Sequence, residues 1–122
     1  MSDSSALGLQ GESLAAAHLQ EKGYKIRHRN WTTGKLEVDI IAENNDYVVF
    51  AEVKTRTEGY FGNISDLVPT DKQKLLVRAA DSYIRIYDIN KESRFDVIII
   101  VASGQSIEIK EHIEDAFYPT LR

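Results

Sequence analysis

Two strand-forming runs separated by a turn constrain this chain more than any other feature. The first reads Leu36-Glu37-Val38-Asp39-Ile40-Ile41-Ala42-Glu43, the second Tyr47-Val48-Val49-Phe50-Ala51-Glu52-Val53-Lys54. Both are dense in β-branched and aromatic residues, which pack well on a pleated surface. Asn44-Asn45-Asp46 lies between them, and Asn tolerates the left-handed backbone that a tight hairpin demands. A two-residue loop at Asn44-Asn45 pairs Glu43 with Asp46 and Glu37 with Glu52, and leaves Asp39 diagonal to Glu52. Side chains alternate with period two, so Glu37, Asp39, Glu52 and Lys54 then share one face, neighbours about 5 to 8 Å apart.

Like charges gathered on one face destabilise a sheet unless water or a cation neutralises them. A hard divalent cation suits an all-oxygen set, and magnesium is commonly held by one or two carboxylates plus substrate phosphate oxygens. Lys54, two residues past Glu52, is placed to orient a water or to stabilise developing charge. Acids followed by Glu-x-Lys also occur on merely solvated strand faces. What favours a site is placement: Tyr47 to Ala51 runs without polar interruption, as in a strand buried on both faces, and ionised groups follow at its end.

At 122 residues the chain has the length of one domain, expected over residues 1–122 with 1–5 flexible. It contains no cysteine, which excludes disulfides and thiolate metal sites. The longest purely apolar run, Val97 to Ala102, is too short to cross a bilayer, and Met1-Ser2-Asp3-Ser4-Ser5 lacks the basic and apolar regions of a signal peptide. A cytoplasmic protein with no membrane association is therefore expected. The net charge of -4 argues against indiscriminate polyanion binding. Local basic groups remain: Lys25, Arg27 and Arg29 share a face if Tyr24 to Trp31 is a strand, and Lys72, Lys74 and Arg78 follow Lys54-Thr55-Arg56. Such stripes suit phosphate contacts, as they also suit a solvated face.

Ser4 or Ser5 caps an expected helix to about Lys22, ended by Gly23. Glu12 lies there among small residues, Gly11-Glu12-Ser13-Leu14-Ala15-Ala16-Ala17, where close packing on a sheet brings its carboxylate toward the acidic patch. Strands follow over Tyr24 to Trp31, Leu36 to Glu43 and Asp46 to Lys54, then a loop over Thr55 to Val68. Pro69-Thr70-Asp71 opens a second helix with an apolar stripe through Leu75, Leu76, Ala79, Ala80, Tyr83, Ile84 and Tyr87, and with Lys72 and Gln73 at its start. Arg94 to Val101 reads as a buried strand and Ser106 to Lys110 as a short edge strand. The order is αβββαββ, an α/β fold with a mixed sheet flanked by helices. His18, His28 and His112 are widely separated and read as structural. Trp31 reads as core, while Tyr60 and Phe61 are as well suited to stacking on bases.

These motifs resemble the PD-(D/E)xK nuclease superfamily, with its restriction-endonuclease-like fold: Asp39 stands at the Asp position and Glu52-Val53-Lys54 at the (D/E)xK position. More closely, nearly the whole chain resembles the YraN-like uncharacterised bacterial family, related to archaeal Holliday-junction resolvases. The matching segments are Gly11-Glu12 with the following alanines, Lys22-Gly23-Tyr24, Arg29-Asn30-Trp31, Glu37 to Ala42, Phe50 to Arg56, Phe61-Gly62, Lys72-Gln73 and Arg94 to Val97. Two positions depart from the family: Leu36 stands where a glycine usually precedes Glu37, and Thr32-Thr33 follow Trp31 where a basic residue is common.

The resemblance implies Lys54, Asp39, Glu52 and Gln73 as catalytic residues, with Glu12 as an accessory acid beside Glu37. Magnesium or manganese is the expected cofactor, at Asp39, Glu52 and Val53. Lys25, Arg27, Arg29, Arg56 and Lys72 are the expected nucleic-acid contacts. The implied activity is that of a metal-dependent endonuclease on DNA, including branched or damaged DNA, in a chain able to form a homodimer. The alternative is a non-catalytic module that binds nucleic acid or protein on a nuclease-derived fold.

Overall fold

The computed structural model describes residues 6–59 and 62–118. The expected capping serines, the flexible amino terminus and the loop aromatics Tyr60 and Phe61 lie outside them. Helix α1 (Ala6–Glu21) is followed by strands β1 (Lys25–Thr33), β2 (Leu36–Glu43) and β3 (Tyr47–Thr57). A short helix α2 (Ile64–Leu67), helix α3 (Thr70–Ile86) and strands β4 (Glu92–Ser103) and β5 (Ser106–Phe117) complete the order. The strands form one five-stranded mixed sheet in sequence order, β1-β2-β3-β4-β5. Only β3 and β4 run parallel; every other pair is antiparallel. Parallel neighbours need a crossover, and α2 with α3 supplies it.

The sheet carries a core on each face. Ala15, Ala16 and Leu19 of α1 pack with Ile40, Ala42, Val49, Ala51, Ile98 and Ile100. Leu76, Val77, Ala80 and Tyr83 of α3 pack on the other face with Ile41, Val48, Phe50, Phe95, Val97 and Ile99. The central strands are covered on both sides, which is why their sequences read as unbroken apolar runs. Trp31 joins the α3-side core, edge-on to Tyr83 with ring centroids 5.1 Å apart, as its core reading required.

Three local features depart from the sequence expectations. The β2-β3 turn is wider: Asn44 N donates to Tyr47 O (3.0 Å), and Asn44 Oδ1 accepts from Asp46 N and Tyr47 N. Glu43 therefore faces Val48 rather than Asp46. An offset of two leaves the β3 side chains on their expected faces while their partners in β2 change. The expected loop contains α2, opened by a capping box in which Asn63 and Asp66 bond each other's backbone, a signal legible in Asn63-x-x-Asp66. The last strand continues to Phe117 because irregular pairing, with Ile99 opposite Glu111 and Ile100 opposite Ile109, resets the alternation that the sequence seemed to lose at Lys110.

Candidate functional site

The β2-β3 ladder ends at Ile40 and Ala51, and the acidic pair begins immediately beyond. Val38 and Ile41 both join the α3-side core while Ile40 joins the α1-side core, so the alternation of β2 slips once around Asp39. The Asp39 carboxylate takes over where the ladder stops: its Oδ2 accepts from Val53 N at 2.8 Å. Asp39 and Glu52 are only 1% and 2% exposed. Asp39 Oδ1 and both Glu52 oxygens are buried without a hydrogen-bond partner. Burial and, next, the negative charge of Glu52 push the Asp39 carboxyl up to about 7, with Glu12 adding to the effect.

Two ammonium groups reach Glu52. Lys72 Nζ lies 2.8 Å from Oε1 and Lys54 Nζ 3.8 Å from the same oxygen. Lys72 thus answers Oε1 by charge, while Oε2 meets no donor among the described residues. Burial lowers the Lys54 pKa, and the neighbouring Lys72 lowers it further, against the opposing charges of Glu52 and Asp39.

Helix α1 brings Glu12 to the same place. Gly11 makes this possible, because a Cβ at that position would run into Thr55 Oγ1 of β3. Glu12 is 3% exposed; its Oε1 accepts from Asn30 Nδ2 at 2.8 Å and from Arg29 Nε at 3.3 Å. Asn30 reaches it from a left-handed backbone, φ 55°, which Asn adopts more readily than most residues. Among the described residues no three His, Cys, Asp or Glu side chains form a ready cage. Asp39 and Glu52 are the carboxylates here that could hold a hard divalent cation.

Other expected residues are placed differently. Glu37 pairs with Thr32 of β1 and lies beyond the last β2-β3 pair, Ile40 with Ala51, so it is not opposite Glu52. Gln73 is buried, and its Nε2 donates to Val68 O at 2.9 Å, tying the start of α3 to the preceding turn. Val53 meets the site through its backbone N–H. Lys25, Arg27 and Arg29 do not form one stripe. A register shift between Ile26 and His28 sends Arg27 to Tyr83 and Glu43 on the α3 side and Arg29 to Glu12 and Ser13 of α1. Arg56 Nη1 donates to Thr55 O.

A second polar cluster had no signal in the sequence, because its members are far apart in the chain. Arg94 forks onto Asp96 (Nε to Oδ1 2.9 Å, Nη2 to Oδ2 2.8 Å) and donates to Tyr24 Oη at 2.6 Å. Asp96 also pairs with His112 Nε2 at 2.7 Å and accepts from Asp115 N at 3.1 Å. His112 Nδ1 lies 3.1 Å from His18 Nε2, so two histidines separated in sequence meet across α1 and β5.

Comparison with known proteins places the whole arrangement. The model of the uncharacterised protein family UPF0102 matches residues 11–100. The chain belongs to UPF0102. A UPF0102 protein of Phocaeicola vulgatus is 43% identical over 121 residues, covering 99% of each chain. Another, of Bacteroides thetaiotaomicron, is 42% identical with the same coverage. One of Flavobacterium psychrophilum is 43% identical over 118 residues, covering 97% of this chain and 98% of its own. The expectation of an uncharacterised bacterial family holds, and the UPF0102 match spans Glu12, Asp39, Glu52, Lys54, Lys72 and Gln73. Among the described residues no helix is long and apolar enough to cross a membrane.

Proposed function

We propose that this UPF0102 protein is a metal-dependent endonuclease of the PD-(D/E)xK type, on a restriction-endonuclease-like fold, acting on DNA with branched or damaged structure. The observation that carries the reading is the set of three buried carboxylate oxygens, Asp39 Oδ1 and Glu52 Oε1 and Oε2, which find no hydrogen-bond donor among the described residues, Oε1 being met only by the charge of Lys72 and Lys54. A buried unsatisfied acceptor is costly and rare in a native fold, and a hard cation suits such a set. Asp39 and Glu52, with the backbone of Val53, would hold Mg2+ or Mn2+.

A bound divalent ion supplies Lewis-acid polarisation of a phosphoryl oxygen and lowers the pKa of a nearby water. The protein residues do the rest. The Val53 N–H fixes Asp39 through Oδ2, so that Oδ1 would be the oxygen available to a bound ion. Lys54 Nζ, its pKa lowered by burial, would stabilise developing charge or orient a water beside the scissile phosphate. Glu12, oriented by Asn30 and Arg29, adds negative potential at Asp39. Lys25 and Arg56 are the proposed contacts to flanking phosphates, and two copies of the chain could cut paired strands.

The test is cleavage of duplex, flap, junction and single-stranded DNA in Mg2+ or Mn2+. Lys54→Ala and Asp39→Ala should each lose on the order of 10²–10⁴-fold in rate, the range of a positioned proton-transfer or charge-stabilising group. Equal cleavage by all three proteins would mark a contaminant and remove the assignment. Metal-independent binding without cleavage would instead favour a non-catalytic module.

A further inference from the structure

We propose that Lys72 is the stand-in cation of this site: its ammonium holds the divalent ion's place against Glu52, yields it when the ion enters, and is thereby freed for a substrate phosphate. The inference rests on the metal-site reading and names what that site must do before it can fill.

Glu52 is the more crowded of the two carboxylates. Lys72 approaches Oε1 a full 1 Å closer than Lys54 does, 2.8 against 3.8 Å. Both side chains are largely withdrawn from water, 16% and 12% exposed, so their mutual repulsion is weakly screened. One carboxylate answers two ammoniums. A divalent ion added at the same oxygens would meet both positive charges at close range, and one of them has to leave.

The fold decides which. Lys54 belongs to a central strand, two residues from Glu52, in register with Ile99 of β4. Its root cannot move away from the carboxylate it serves. Lys72 comes from a separate element, the first turn of α3, and only its four-carbon stem ties it to Glu52. Rotation about that stem carries the ammonium from Oε1 toward solvent. It remains at the start of α3, where Pro69 supplies no side-chain cap and the helix dipole also favours an anion. A phosphate arriving at the site then meets Lys72 already released. The same residue therefore stabilises the acidic pair without metal and binds substrate with it.

Calorimetric titration with Mn2+ of the metal-free full chain tests this, using wild type, Lys72→Met, Lys72→Arg and Asp39→Asn. Lys72→Met should bind Mn2+ about tenfold more tightly than wild type, a coupling typical of removing one competing charge. Its Tm without metal should fall below wild type, and its gain in Tm on saturation should be larger. Lys72→Arg should keep affinity within about threefold, because it keeps the competing charge. For a non-cleaving Ca2+ complex with a flap oligonucleotide, Lys72→Met should lower the salt-dependence slope by about one contact. Unchanged or weaker Mn2+ binding by folded Lys72→Met, with wild type binding normally, overturns the placeholder role. An unchanged salt slope overturns the hand-over to phosphate. If wild type takes up no Mn2+ and Asp39→Asn behaves identically, the metal site itself falls.

Discussion

Two buried aspartates, one on each of two strands in this sheet, meet opposite fates. Asp96 of β4 accepts from Arg94 twice, and from Asp115 N, and pairs with His112. Among the described residues Asp39 of β2 accepts from Val53 N alone, while Glu52 and Glu12 repel it. Burial presses on both carboxyls, yet His112, Arg94 and the Asp115 N–H together hold Asp96 below its ordinary pKa, whereas Asp39 rises to about 7. The contrast separates structure from function. A carboxylate whose lone pairs are all answered by the protein is part of the scaffold; one with an oxygen left without a donor at full burial is a candidate functional group.

Breaking each cluster should therefore move stability in opposite directions. Asp96→Ala strands the Arg94 guanidinium, 8% exposed, and should destabilise by about 3–5 kcal/mol, the usual result of removing one partner from a buried pair. Asp39→Asn keeps an acceptor for Val53 N and removes a repelled charge, so it should stabilise the metal-free protein by roughly 1–2 kcal/mol. Urea unfolding of both variants decides the matter. Loss of stability in Asp39→Asn of the same size as in Asp96→Ala would erase the distinction.

The pH dependence sharpens it. Asp39 binds a proton more tightly folded than unfolded, so its contribution is present below about pH 4 and is lost as pH rises toward 7. Asp96 has the reverse sign: its contribution is present above about pH 4, the ordinary carboxylate value, and is lost on further acidification. Thermal melts from pH 3 to 8 should show a decline between pH 4 and 7 that disappears in Asp39→Asn and persists in variants of the other cluster. Saturating Mn2+ should also abolish it, by favouring ionised Asp39. A profile that Asp39→Asn leaves untouched would assign the decline to other groups.

The smallest effect concerns how α1 delivers Glu12. Gly→Ala within a helix ordinarily gains about 1 kcal/mol, but the new methyl of Gly11→Ala meets Thr55 Oγ1. The substitution should be neutral or destabilising by about 1 kcal/mol in wild type and stabilising by a similar amount in a Thr55→Ala background. Additive behaviour across that double-mutant cycle would show that the close approach does not matter.

Much of the scaffold was legible because period-two and helical patterns are local properties. The expected strands at Leu36–Glu43 and near Tyr47–Lys54, the helix opening after Pro69 and the acidic pair with Lys54 are all present. What escaped was set by a single residue of register or by distance along the chain. The shift between Ile26 and His28 split the anticipated basic stripe between two faces, and no propensity marks where a bulge falls. Gln73 and Lys72 are adjacent in sequence, yet one ties down the turn at Val68 and the other meets Glu52. Helical geometry puts successive side chains about 100° apart, and only packing chooses between them. The Asp96–His112–His18 chain joins residues up to 94 positions apart, beyond the reach of any local pattern.

The lone parallel pairing has a consequence for the order in which this molecule assembles. Strands β1 to β3 form a local meander and β4 with β5 a local hairpin, while β3 and β4 join residues such as Phe50 and Phe95 across the intervening crossover. Closing that longer loop carries the greater entropic cost. On that ground Asp39 and Glu52 should come together on an early meander, and Lys72 should join only when the crossover docks. Their negative charges would then face one another without a lysine from α3 until the last segments lock. Pulsed hydrogen exchange during refolding should find the Asp39 segment protected before α3, with divalent ions accelerating that early phase.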